Sequence, residues 1–60
     1  MAASAPLYVD AAAGPVDGTE DSFRCYQGGF MFDYDLAHIK AAIGRGDDVR
    51  DWADMPSHRK

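Results

Sequence analysis

Two adjacent glycines, Gly28 and Gly29, separate two segments of the chain in which aromatic and polar residues alternate. Two-residue hairpin loops need positive φ angles, which glycine adopts readily, so these segments predict a β-hairpin over about residues 23–34. Counting outward from the loop places Arg24 opposite Asp33. Because side chains alternate along a strand, this register gathers one mainly aromatic face, made of Phe23, Cys25, Gln27, Phe30, Phe32 and Tyr34. A slip of one residue would scatter that face over both sides of the hairpin, which favours the register.

The length of the chain limits what this hairpin can become. With 60 residues the chain forms at most one domain, and a domain of about this size buries only about 60% of the surface of its unfolded chain. Its single cysteine, Cys25, excludes an intramolecular disulfide. A lone hairpin is also marginal in water, so its aromatic face must be covered. The sequence therefore predicts a marginal fold that gains stability from a partner or from self-association.

A short helix is predicted over residues 35–43, immediately after the hairpin. Asp35 is a favourable N-cap residue, and Gly44 suits the left-handed position that often ends a helix. One apolar stripe runs along the predicted helix and comprises Leu36, Ile39, Ala42 and Ile43. We expect this stripe to cover the aromatic face of the hairpin.

A second helix is predicted over residues 47–55, because Val49, Trp52 and Ala53 share one helical face. Pro56 ends it, since the residue before a proline is pushed out of helical geometry. Residues 23–56 would then form an α+β mini-domain of one hairpin and two short helices, followed by a basic tail at 57–60.

The first 22 residues predict an extended or irregular arm. Alanines dominate its beginning, and a run of Gly, Pro, Asp and Thr follows. The one alternative within it is a short strand at 6–9, where Leu7 and Val9 would share a face and Tyr8 would occupy the other. Such an arm is typical of a segment that lies along another protein.

Charge and hydropathy exclude several classes of function. The formal net charge is −4, and an acidic chain lacks the basic footprint that nucleic acids attract, so we expect no direct nucleic-acid binding. No apolar run approaches the roughly 20 residues of a membrane-spanning helix, and no secretory signal is present. An intracellular location, without a membrane span, is the resulting expectation.

Candidate catalytic and metal-binding residues all have a structural interpretation. Cys25 is expected to be a buried apolar residue, and His38 one turn after Asp35 is a common pairing on an exposed helix surface. Asp33 and Asp35 alternate as calcium ligands do, but the series stops at Ala37. The Arg-Gly-Asp tripeptide at 45–47 is expected to be a turn before a helix cap. We therefore expect no enzyme, no metal site and no cofactor.

Aromatic and methionine side chains outside the predicted core are the candidates for external contact, because such residues dominate protein interfaces. They are Tyr8, Tyr26, Met31 and Trp52. Together these features predict a non-catalytic accessory subunit that docks on a larger protein, or a homo-oligomer. The alternative is a small acidic inhibitor or antitoxin-like regulator that occupies a basic surface of its target. The carboxylates that would make this contact are Asp47, Asp48, Asp51 and Asp54.

Overall fold

A computed structural model describes residues 5–16 and 21–58. It confirms a small α+β fold, in which a four-stranded mixed sheet packs against one α-helix. In chain order the elements are β1 (Leu7–Val9), β2 (Ser22–Gln27), β3 (Phe30–Asp35), α1 (Leu36–Gly44) and β4 (Val49–Asp51), then two 3₁₀ turns at Trp52–Asp54 and Pro56–His58.

The strands are arranged in the order β3-β2-β1-β4. Strand β1 is antiparallel to β2 and parallel to β4, and β2 is antiparallel to β3. The two edge strands, β3 and β4, therefore run in the same direction, and α1 connects them across one face of the sheet. Parallel strands need a crossover of this kind, because a tight turn cannot join them.

The β2–β3 hairpin has the predicted register, from Phe23 opposite Tyr34 to Gln27 opposite Phe30. Both loop glycines have positive φ angles, 59° at Gly28 and 90° at Gly29, as a two-residue hairpin loop requires. Each strand is one residue longer than predicted, and the hairpin is not free-standing, because β1 pairs with the other side of β2. Arg24 and Asp33 face each other across the ladder, although the ion pairs found among the described residues lie elsewhere.

Strand β1 shows that the predicted N-terminal arm is in part a central strand. Leu7, Tyr8 and Val9 are all buried, because the sheet continues on both sides of β1 and both of its faces are covered. Residues 10–16 form neither a helix nor a strand. Residues 1–4 and 17–20 of the predicted arm lie outside the described residues.

Helix α1 begins as predicted, with the Asp35 side chain accepting a hydrogen bond from the His38 backbone N–H. The predicted apolar stripe is only half correct, since Ile39 and Ala42 are buried whereas Leu36 is 37% exposed and Ile43 is 57% exposed. The cause is geometric: a short helix that lies on a narrow sheet presents only the centre of its stripe to that sheet.

The end of α1 also differs from the prediction. Gly44 is the last helical residue, and the left-handed position is Gly46, with a φ of 83°. Backbone N–H groups after the helix close its last turn, with Arg45 donating to Ala41 and Asp47 donating to Ala42, both at 3.0 Å. The turn that reverses the chain toward β4 is thus two residues later than expected.

The predicted second helix at 47–55 is wrong. Val49–Asp51 forms β4, parallel to β1, and only short 3₁₀ turns follow it. The Leu7 N–H donates to the Asp48 carbonyl at 2.8 Å, which fixes the start of this pairing. A nine-residue helix is marginal by itself, so the open edge of β1 outweighs its local preference. Within the predicted basic tail, Ser57 and His58 belong to the second 3₁₀ turn, and residues 59–60 lie outside the described residues.

The core lies between the sheet and α1. It consists of Leu7, Val9, Cys25 and Ile39, with Phe23, Phe32 and Val49 packed against it. Two of its four buried members come from β1, so the aromatic face of the hairpin is not covered by the helix alone. Cys25 is fully buried at the centre.

The hairpin loop provides a direct test of this fold. Replacing Gly29 with alanine should lower the free energy of unfolding by about 1–2 kcal/mol, because a β-carbon disfavours the left-handed backbone. Open space surrounds the position, so backbone strain and not a steric clash would be the cause. The measurement is urea denaturation followed by circular dichroism.

Gly44→Ala is the matched control for this experiment. Gly44 lies in the helix, its φ is not positive, and a β-carbon there would also meet open space. Alanine should therefore stabilise the chain by roughly 0.5–1 kcal/mol. Equal effects of the two substitutions would contradict the described loop conformation.

Candidate docking surface

The four predicted contact residues come together on the sheet face that lies opposite α1, here called the back face. Tyr8 pairs with Tyr26 between β1 and β2, and Tyr26 pairs with Met31 between β2 and β3. The ring of Trp52 approaches Tyr26 edge-on, with 6.2 Å between ring centroids and an interplanar angle of 85°. Three distant segments of the sequence thus contribute to one surface.

Exposure differs among these four residues. Tyr8 is buried at 6% exposure, Tyr26 and Trp52 are half-buried, and Met31 is 58% exposed. Met31 and the exposed parts of Tyr26 and Trp52 are therefore accessible to another molecule, whereas Tyr8 is largely covered.

A groove runs along the back face, between the hairpin loop and the 3₁₀ turns. Its volume is about 360 Å³, and no charged side chain lines it; its walls are Ala5, Pro6, Tyr8, Tyr26, Gly28, Gly29, Met55, Pro56 and Ser57. Gln27 Nε2 donates to the Ala5 carbonyl at 2.8 Å and holds the segment before β1 against the hairpin. Apolar concave sites of this kind commonly accept a side chain or small apolar group.

Sequence reasoning missed this groove and also Met55, which is buried beside it. The missing signal is the pairing of β1 with β4, which brings the segment around Pro6 close to the segment around Pro56. A sequence pattern based on local periodicity contains no information about such an association.

The Asp35–His38 pair caps a helix. Asp35 Oδ1 accepts the His38 backbone N–H at 2.8 Å and lies 2.7 Å from its ring Nδ1, and the Tyr34 ring stacks on the imidazole with centroids 5.4 Å apart. The hydrogen bond from the His38 backbone, followed by the one from its ring, lowers the pKa of Asp35. Both side chains are well exposed to solvent.

The Cys25 thiol is shielded from solvent, unlike the Asp35 and His38 side chains. It is fully buried, its Sγ lies 3.4 Å from the Phe23 carbonyl, and burial raises its pKa. Nucleophilic cysteines need a lowered pKa and access to substrate, so this setting favours a packing role.

The acidic residues around β4 make mainly local contacts. Arg45 forms an ion pair with Asp47 at 2.8 Å, and Arg50 forms a two-pronged pair with Asp48 at 2.9 and 3.1 Å. The Asp48 contact raises the pKa of Arg50 further. Asp51 accepts a hydrogen bond from the Ala53 backbone N–H at 3.0 Å.

Comparison of the chain with protein-family models, with curated proteins and with solved structures finds no match. Across residues 5–16 and 21–58, no group of three or more His, Cys, Asp or Glu side chains is placed to hold a metal ion. No helix in this part of the chain has the length and apolar character needed to cross a membrane. Any function is therefore inferred from the residues and their geometry.

The Asp35 cap has a predictable dependence on pH. Because folding lowers its pKa, the carboxylate stabilises the folded chain above its unfolded-state pKa, and this contribution is lost as pH falls through the lowered value. Asp35→Asn keeps a capping oxygen without the charge, so its stability should lie below that of the wild type at neutral pH and converge with it in acid.

Urea midpoints measured between neutral pH and about pH 2 test this expectation. Asp35→Ala is the comparison variant, because it removes the cap itself and should remain less stable than Asp35→Asn throughout. Parallel pH profiles of the wild type and Asp35→Asn would show that the cap carries no charge-dependent stabilisation.

Proposed function

We propose that this chain is a non-catalytic, intracellular accessory subunit that docks on a larger protein through its back face. The observation that carries the proposal is the grouping of Tyr26, Met31 and Trp52 beside an apolar groove. Aromatic residues at the centre of an interface, next to a pocket, supply most of the binding energy in many complexes.

The distribution of exposed apolar residues supports docking. Met31 is 58% exposed on the back face, so a large apolar side chain is available there for contact. Arg24 and Asp33 lie on the same face as Met31 and provide a charged margin. An apolar centre with a polar rim is the usual anatomy of a protein interface.

The small core also supports dependence on a partner. Among the described residues, only seven apolar side chains are buried: Leu7, Tyr8, Val9, Cys25, Ile39, Ala42 and Met55. A domain of this size gains substantial stability when a partner covers further apolar surface, because binding to the folded state shifts the folding equilibrium.

The acidic inhibitor is the alternative proposal, and its support is the exposure of four carboxylates: Asp47, Asp48, Asp51 and Asp54. Two of these carboxylates already pair with Arg45 and Arg50, which reduces the negative potential they offer to a target. The docking proposal is therefore the stronger one.

A matched pair of substitutions tests docking. Met31→Asp places a charge at the centre of the proposed contact, and Ile43→Asp places one at an apolar residue on α1 whose exposure, 57%, is nearly the same. A partner is first captured on the immobilised full chain and identified by mass spectrometry. Its affinity for each variant is then measured by calorimetry.

We expect Met31→Asp to weaken binding by at least about tenfold, because a charge would be desolvated in an apolar contact. Ile43→Asp should bind as the wild type does. Equal losses in both variants would contradict docking through the back face. A steep loss of affinity with rising salt would instead support the acidic alternative, because screening weakens contacts between exposed charges.

A further inference from the structure

Strand β3 is an edge strand whose protection against pairing is limited to its two carboxylates, Asp33 and Asp35. It has six residues, pairs with β2 without a bulge, and contains neither proline nor lysine. The opposite edge strand, β4, has only three residues and is followed by a 3₁₀ turn. Proteins commonly protect long edge strands with proline, lysine or a bulge, because an open edge accepts another strand.

The hydrogen-bonding pattern of the hairpin shows which groups of β3 face outward. Residues of an antiparallel pair alternate between hydrogen-bonded and non-hydrogen-bonded positions. The Leu36 N–H donates to the Asp21 carbonyl, and the Arg24 carbonyl turns toward β1, where it accepts from Asp10. Arg24 therefore does not bond to Asp33, and by the same alternation Asp33 and Met31 direct their N–H and C=O groups to the open side.

We infer that this edge binds a second copy of the chain, with the two β3 strands antiparallel and the twofold axis at Phe32. Asp35 is the N-cap of α1, so the edge ends where the helix begins, and the free stretch is residues 30–34. A ladder centred on Phe32 uses this whole stretch. In it, Met31 of one copy exchanges both hydrogen bonds with Asp33 of the other, and the reverse pair repeats them.

The side chains of β3 favour this register over its neighbours. If the pairing of the two strands shifts, it must shift by two residues to keep outward-facing groups opposite each other, and this moves the twofold axis by one residue. A twofold axis at Asp33 would place two carboxylates face to face. With the axis at Phe32, Phe30 meets Tyr34 of the other copy and Phe32 meets its own equivalent. The helix side of the ladder then consists of aromatic pairs, and each Asp33 faces a methionine.

The side chains that would pair across the dimer are exposed in the monomer. Phe30 is 74% exposed and Tyr34 is 36% exposed. Dimerisation leaves most of the proposed docking surface free, because its aromatic pairs lie on the helix side of the sheet and only Met31 and Asp33 take part on the back face. It would join two back faces into one continuous surface.

Sedimentation equilibrium from about 10 µM to about 1 mM tests the dimer, because a contact of this limited area is expected to be weak. The wild type should dimerise within this range. Its affinity should rise with salt, since two chains of charge −4 repel each other and salt screens that repulsion. A monomer at every concentration, or a dimer that weakens with salt, would overturn the inference.

Phe30→Glu should weaken the dimer by about tenfold, because one substitution removes both symmetry-related aromatic contacts. Ile43→Glu is the control, since Ile43 is also exposed, at 57%, but lies near the end of α1 that is away from β3. Adding Tyr34→Lys to Phe30→Glu should restore affinity through Glu–Lys pairs across the axis. Equal weakening by Ile43→Glu, or a double variant no tighter than Phe30→Glu, would overturn the register.

Amide hydrogen exchange of the unmodified chain gives a second readout that needs no variant. The amides of Met31 and Asp33 should exchange rapidly in dilute solution and become protected as the concentration rises. The amides of Phe32 and Tyr34 are bonded within the hairpin and should change little. Uniform protection, or none, at Met31 and Asp33 across concentrations would contradict pairing through this edge.

Discussion

The pairing of β1 on both of its sides is the interaction on which the remaining structure depends. Three residues, Leu7 to Val9, join a hairpin to a strand from the far end of the chain. Their side chains also supply two of the four residues at the centre of the core. Without β1, the hairpin would retain an open edge on β2, and β4 would have no strand to pair with.

The same strand organises the two faces of the sheet. Leu7 and Val9 point toward α1 and Cys25, whereas Tyr8 points to the back face beside Tyr26. The 3₁₀ turn at Trp52–Asp54 packs against β1 and brings Trp52 to Tyr26. The proposed docking surface is therefore a product of the core pairing and not a separate module.

Local features were predictable from the sequence, because their causes lie within a few residues. The register of the hairpin follows from a glycine loop and an alternating pattern, and the start of α1 follows from the capping side chain of Asp35. The grouping of Tyr26 with Met31 follows from the same alternation. The prediction of a second helix was wrong because Val49 fits a helical stripe as well as a strand. Its strand conformation depends on pairing with β1, which is distant in the sequence. The groove was unpredictable for the same reason, since its walls come from both ends of the chain.

The contact between β1 and β4 also determines the order in which this molecule can assemble. Leu7 lies opposite Val49, so 41 of the 60 residues lie between these partners. Closing a loop of that length costs entropy before any contact offsets it, and such non-local pairings slow folding. The hairpin and α1 can form from adjacent residues, whereas the sheet is completed only when the C-terminal segment arrives. Until Val49–Asp51 pairs with β1, that edge of the sheet stays open, so the pairing of β4 is the step that closes the fold.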